Sequence, residues 1–339
     1  MTDLLLPMLS AFIVALVMTG LVRRYALARR LVDVPNARSS HQLSTPRGGG
    51  LAIVVGFACI LVVQAVGGRA DTQLLIAVLP AVLGVAAVGF MDDHQHVAAR
   101  VRIAVHVVAI AWALYWIGGP LAIPWPSGVL SIGWPVKLLA MLAMVWFLNL
   151  FNFMDGIDGI AASEAIFIAC SGAWLATTSG QIGVASALLI LAAAVLGFLA
   201  WNWPPAKIFM GDVGSGFLGA ALGILGYAAA FADNLTLWSW VILVAVFVAD
   251  ATTTLIRRFV RRDRWYEAHR SHAYQRAARR WGHLRVTVAV VLINLLWLLP
   301  MALLALAAPS SGVFIALLAY MPLLGLAAWL GAGTAENRE

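Results

Sequence analysis

Charge is scarce in this 339-residue chain: 15 acidic and 22 basic residues make up 11% of it, against 63% hydrophobic residues. With a mean hydropathy of +0.92, the apolar surface is far more than a soluble core of this length could bury, which excludes an ordinary water-soluble domain. Cysteine is scarcer still. Cys59 and Cys170 both fall inside apolar runs, which excludes a disulfide framework or a thiolate metal site and leaves both expected as packing residues. The net charge of +7 could suggest nucleic acid, but nearly all of it flanks apolar runs, where it sets topology and meets anionic lipid headgroups. No nucleic-acid partner is expected.

What is present is a series of long apolar runs. At about 20 residues per crossing, spans fall near 4–22, 48–67, 73–90, 101–118, 135–153, 160–178, 182–201, 214–232, 236–256, 286–308 and 311–331. The first lacks a small-residue cleavage site and reads as a retained span. The expected fold is all-α: a single polytopic membrane domain, 1–339, of about eleven helices. Alternating the loops places Arg23, Arg24, Arg29, Arg30, Arg38, Arg47, Arg100, Arg102, Lys207, the ten arginines from Arg257 to Arg285, and Arg338 on one side, and only Arg69 and Lys137 on the other. By the positive-inside tendency the N-terminus is outside and the C-terminus cytoplasmic. The cytoplasmic loops are then near 23–47, 91–100, 153–160, 202–214 and 257–285.

Asp92, Asp93, Asp155, Asp158 and Asp212 all sit where apolar runs meet these cytoplasmic loops. Carboxylates at membrane ends are costly unless cations meet them, and several converging on one face suit a divalent metal and a phosphate-bearing substrate. The adjacent pair Asp92-Asp93 would repel unless a cation stands by, or else it is a solvated loop. In Asn149-Leu-Phe-Asn152-Phe-Met-Asp155-Gly-Ile-Asp158-Gly159, polar groups recur every three residues. A step of three turns about 300° on a straight helix, so Asn149 and Asp158 can share a site only if the helix breaks, as Gly156 and Gly159 permit. Phe209-Met-Gly-Asp212-Val-Gly-Ser-Gly216 sets one carboxylate in a glycine-rich turn at a helix start, where amides and the helix dipole favour phosphate.

Two basic loops carry further candidates. His269, Arg270 and His272 suit a diphosphate, although a solvated face fits the spacing equally. In the first loop Asp33, Pro35, Asn36, Arg38, His41, Thr45, Pro46 and Arg47 lead into Gly48-Gly49-Gly50, where proline stiffens the turn and glycines free the amides. Asp250 lies inside the ninth span and must face the protein interior, as a hydrogen-bond partner or as the rim of a site.

The ordered set of Pro46-Arg47-Gly48-Gly49, Asp92-Asp93, Asn149 to Gly159, Phe209 to Ser215 and His269-Arg-Ser-His272 resembles the polyprenyl-phosphate N-acetylhexosamine-1-phosphate transferases over nearly the whole chain. That resemblance implies transfer of a sugar 1-phosphate from a UDP-sugar to undecaprenyl phosphate, with release of UMP, at the cytoplasmic face of a bacterial inner membrane. It implies Mg²⁺, with Mn²⁺ as an alternative. Asp212 then resembles a metal ligand and Asp155 stands at the metal and nucleotide with Asp158. Asn149 and Asn152 support them, Asp92 or Asp93 receives the lipid phosphate, and Arg47, His269, Arg270 and His272 bind substrate. The pair Asp92-Asp93 is followed by His-Gln-His rather than a third acid, and the late loop lacks consecutive histidines. The second departure argues against the peptidoglycan enzyme and looks more like the branch that initiates O-antigen or related surface polysaccharides, with UDP-N-acetyl-fucosamine, -quinovosamine or -glucosamine as donor. A secondary transporter is the rival class, opposed by the one-sided acids and by the lack of an inverted repeat. Oligomeric state is not legible, which leaves a homodimer open.

Overall fold

A computed structural model describes residues 2–29, 31–33, 44–95, 97–119, 122–263 and 270–334. Fourteen α-helices dominate: α1 Thr2–Ala28, α2 Gly50–Val66, α3 Thr72–His94, α4 Ala99–Ile117, α5 Trp134–Phe153, α6 Ile160–Thr178, α7 Ile182–Asn202, α8 Asp212–Ala232, α9 Leu237–Leu243, α10 Ala245–Val260, α11 Ala273–Trp281, α12 His283–Ile293, α13 Leu299–Ala307 and α14 Gly312–Trp329. Two small antiparallel pairs complete the described structure, β1 (Val32–Asp33) with β2 (Thr45–Pro46) and β3 (Ile123–Trp125) with β4 (Gly128–Leu130). The chain is a polytopic all-helical membrane protein.

Each of the eleven expected spans is helical, but they are not alike. Among the described residues nine helices are long and apolar enough to cross a bilayer, with α12, a π-helical segment at Asn294–Leu298 and α13 forming one of them. The ninth expected span is instead a pair, α9 and α10, bent by 62° at Val244, and the second, α2, has 17 residues. The bend coincides with Val244 leaving the helical region, at φ −92° and ψ 4°.

Burial sorts the helices by position. The core windows of α6, α7 and α8 are 78%, 72% and 83% buried, whereas those of α1 and α4 are 22% and 28%. The former make the centre, and the latter turn apolar side chains outward, as a lipid-facing rim requires. Cys59 and Cys170 are both exposed and unpaired, so they lie on outer helix faces rather than in the packing expected of them.

Small residues bring the central helices together, the usual device where lipid removes the hydrophobic drive between helices. Gly50 at the start of α2 lies directly against Gly214 of α8, and Gly219 of α8 against Leu148 of α5. A side chain at Gly50 would strike Gly214 backbone. This crossing therefore fixes how deeply the start of α8 sits in the bundle.

The C-terminal turn is tied back to the preceding polar loop. Arg257 Nη1 donates to Ala332 O at 3.0 Å, Arg276 Nη2 to Thr334 O at 2.6 Å, and Gly333 N to Ser271 O at 2.8 Å. Basic side chains thus take the carbonyls beyond the end of α14.

One polar pair crosses the apolar centre. Asn294 Nδ2 donates to Glu164 Oε2 at 2.6 Å, joining the π segment to α6, and both residues are fully buried. Asn294→Leu should therefore lower stability by about 1–3 kcal/mol, since it strands a buried carboxyl group. Glu164→Gln, which keeps a partner for the amide, should cost less. Thermal unfolding of the detergent-solubilised variants measures the difference.

Candidate active site

At one end of the bundle α3, α5, α7, α8, α11 and α12 surround a polar cleft of about 320 Å³, lined among others by Asp33, Arg47, Asp93, Asn152, Asp155, Asp158, Asp212, Gln275 and His283. Its floor is the start of α8. Gly211, at φ +77°, precedes that helix, and the carboxylate of Asp93 accepts from the first two amides, Asp212 N at 3.0 Å and Val213 N at 3.1 Å. A carboxylate on two unpaired N-terminal amides is a helix cap in a favourable dipole. Gly211 packs against that carboxylate, and a Cβ there would come within 2.6 Å of it.

Asp92 turns the other way. Its Oδ1 accepts from Val97 N at 2.8 Å and its Oδ2 from Arg102 Nη1 at 2.5 Å, while the same Arg102 nitrogen reaches Asp212 Oδ2 at 3.1 Å. One guanidinium thus compensates two carboxylates on different helices. Asn152 donates to Asp212 Oδ1 at 3.0 Å and to Ser215 Oγ at 2.8 Å.

The first loop is laced to the glycine-rich turn through the backbone. Phe209 N donates to Pro46 O at 2.8 Å, Gly49 N to Phe209 O at 2.9 Å and Gly50 N to Met210 O at 2.8 Å. Arg47 beside this ladder donates to Asp93 O at 2.5 Å, and Asp33, across the β1–β2 pair, reaches the cleft rim.

The polar run after α5 breaks the helix, as its glycines permit. α5 ends at Phe153, and Gly159, at φ +74°, opens α6. Asp155 and Asp158 lie in the break and have opposite surroundings. Asp158 Oδ1 is 3.2 Å from His283 Nδ1, its Oδ2 accepts from Ala206 N at 3.0 Å, and its carbonyl accepts from Thr287 Oγ1 at 2.9 Å. Among the described residues the Asp155 carboxylate has no donor or cation of its own. Burial first, then the like charges of Asp212, Asp93 and Asp158, push its pKa well above the usual carboxylate range.

Asn149 stays on α5, one turn short of the break, bonded to Val145 O at 2.7 Å, and it does not line the cleft. His272 is likewise away from it, buried at the N-cap of α11 with its ring 3.4 Å from Asp250 Oδ1. Asp250 accepts from Ala273 N at 2.9 Å and Tyr274 N at 2.8 Å, so it is the hydrogen-bond partner that its interior position required. The helix it caps supplies Tyr274, whose hydroxyl donates to Phe153 O at 2.9 Å, and Gln275, which reaches the cleft. Arg270 lies outside the cleft lining, its carbonyl bonded by Arg279. His269 lies outside the described residues, as do Pro35, Asn36, Arg38, His41 and His96. Arg102, Gln275, Asn202 and His283 were not singled out from sequence, because each reaches the site from a helix whose own sequence shows only basic anchors or apolar periodicity.

Mg²⁺ is usually held by one or two carboxylates plus water and substrate phosphates, not by an all-protein cage. Among the described residues no three His, Cys, Asp or Glu side chains already form such a cage. An uncompensated Asp155 beside Asp212 meets the lesser requirement and leaves a place for an anionic ligand.

The comparisons with known proteins agree with this geometry. Residues 74–230 match glycosyl transferase family 4. The chain is 31% identical to a decaprenyl-phosphate N-acetylglucosaminephosphotransferase of Mycolicibacterium smegmatis, over 77% of this chain and 71% of that protein. The chain belongs to glycosyl transferase family 4. This family member is also 32% identical to a phospho-N-acetylmuramoyl-pentapeptide-transferase of Moorella thermoacetica, over 66% and 75% of the two chains. Similarity to a probable undecaprenyl-phosphate N-acetylglucosaminyl 1-phosphate transferase of Bacillus subtilis reaches 29% over 81% and 77%. The matched segment contains Asp92, Asp93, Asp155, Asp158 and Asp212, whereas His283 lies beyond it.

Two outcomes follow for stability. Burial and like charge favour the protonated form of Asp155 in the fold, so without metal the protein should lose stability as pH rises from about 3.9 through the raised folded pKa. Asp155→Asn should remove that fall, and the difference in unfolding temperature between the two proteins should widen with pH. Asp93→Ala, which uncaps α8, should cost about 1–2 kcal/mol in the same assay.

Proposed function

We propose that the protein transfers an N-acetylated amino-sugar 1-phosphate from a UDP-sugar to undecaprenyl phosphate, releasing UMP, as the first membrane step of O-antigen or related surface polysaccharide synthesis. The observation that carries this reading is the pair Asp155 and Asp212, two carboxylates facing a polar cleft at the end of a membrane bundle with too little positive charge between them. The relatives named for polyprenyl-phosphate sugar-phosphate transfer support it. The one-sided distribution of lysine and arginine supports a cytoplasmic cleft in a bacterial inner membrane.

Asp155 and Asp212 would hold Mg²⁺, which when bound offsets charge on a diphosphate. Arg47 at the rim and the start of α8 on the floor offer a cation and a helix dipole to the same anion. An oxygen of the lipid phosphate attacks the sugar-linked phosphorus. A new P–O bond forms there as the bond to UMP breaks, and UMP leaves with its electron pair. The phosphate monoester is largely dianionic at neutral pH, so no protein base is required. Asp92 and Asp93 fit holding better than proton abstraction, because every oxygen of the pair already accepts from a donor.

Purified protein incubated with undecaprenyl phosphate, Mg²⁺ and a panel of UDP-sugars should yield a lipid diphosphate-sugar by mass spectrometry, with one donor preferred. No product from any member would refute the reading. Metal binding would displace the proton of Asp155, so below its raised pKa the half-saturating Mg²⁺ concentration should fall about tenfold for each unit by which the pH rises. Asp212→Asn should raise that concentration at every pH, and an unchanged Mg²⁺ dependence would remove Asp212 from the metal site.

A further inference from the structure

His283 stands at the first position of α12, far from the acidic motifs in sequence, yet it lines the cleft. Its Nδ1 lies 3.2 Å from Asp158 Oδ1, with the Asp158 amide directed at the same nitrogen from 3.4 Å. Either form of the ring holds Asp158: with a proton on Nδ1 it donates to the carboxylate, and with Nδ1 bare it accepts from the Asp158 amide. One turn further along α12, Thr287 Oγ1 donates to the Asp158 carbonyl at 2.9 Å. From the opposite wall, Ala206 N takes the other carboxylate oxygen at 3.0 Å, and Asn202 Oδ1 takes the amide of neighbouring Gly159 at 3.0 Å.

Asp158 is therefore gripped through both carboxylate oxygens and its carbonyl, while the carboxylate of Asp155, three residues earlier in the same helix break, has no partner among the described residues. A loop of two glycines is free to turn unless one end is fixed. The fixed end is Asp158, and Asp155 carries the free carboxylate, in the lining of the same cleft. We propose that His283 is a positioning residue of the reaction, holding Asp158 so that the 154–159 loop presents Asp155 beside Asp212. This rests on the metal-dependent reading above and assigns the anchoring role to α12, outside the part of the chain that matches the family. His283 touches no reacting atom in this scheme. It acts through Asp158, as hydrogen-bond partners behind metal-site carboxylates do.

The test compares full-length wild type with His283→Ala, His283→Asn and His283→Gln, each purified in detergent. Asn places an amide nitrogen where the imidazole Nδ1 stood, whereas Gln places it nearer Nε2. Mn²⁺ binding is read by electron paramagnetic resonance with UMP present, UMP release is read by turnover, and unfolding is followed by heat. His283→Ala should weaken Mn²⁺ binding and lower turnover by about ten- to hundredfold, with an unfolding midpoint within about 2 °C of wild type. Asn should recover both and Gln neither. If the alanine variant does not fold, the contrast between Asn and Gln decides alone. Wild-type Mn²⁺ affinity in His283→Ala, equal recovery by Asn and Gln, or no Mn²⁺ uptake by wild type would each overturn the proposal. Should wild type release no UMP from any UDP-sugar while Mn²⁺ binding still separates Asn from Gln, the proposed reaction falls and the positioning role stands.

Discussion

The cleft depends on one helix cap. Asp93, carried on α3, closes the first two amides of α8, and α8 is the most buried span of the bundle. Because the cap fixes where α8 begins, it also fixes Asp212, the first residue of that helix, and with it Arg102, Asn152 and Ser215, which bond to Asp212 or to one another. The contact of Gly50 with Gly214 holds the same helix start from the other side. A side chain that looks like half of an acidic pair in sequence is thus also the joint between two spans.

The neighbouring acids show how environment divides identical chemistry. Asp92 shares a guanidinium with Asp212, Asp93 holds amides, Asp158 is bound on several sides and Asp155 is left facing like charge. Such a division is how a protein keeps most of a carboxylate cluster affordable while leaving one member ready for a cation. Asp250 repeats the capping theme at α11, whose Gln275 lines the cleft. Two buried aspartates therefore set the starts of two helices that line one cavity.

Much of this was legible in the sequence, because apolar length and loop chemistry are local signals. The helical runs, the break near Gly156, the helix start after Gly211 and the gathering of Asp93, Asn152, Asp155, Asp158 and Asp212 all follow from residue order and spacing. The bend at Val244 was not legible, since the apolar run passes through it without glycine or proline. Asn149 and His272 carried the right chemistry but face Val145 and Asp250 instead, because side-chain direction is decided by packing and not by spacing. Arg102 and His283 were hidden for the converse reason: basic residues at span ends are so common as anchors that only contact distances distinguish these two.

The ties beyond α14 bear on how the protein comes into being. Ser271, which leads into α11, is bonded to Gly333, and Arg257 and Arg276 hold the carbonyls of Ala332 and Thr334. A ribosome that has already delivered every acidic residue of the cleft has not yet delivered the strap that steadies its α11 wall. Synthesis from the N-terminal side thus puts every carboxylate of the cleft ahead of α14 and its ties, so the α11 wall can be steadied only after those carboxylates have been made.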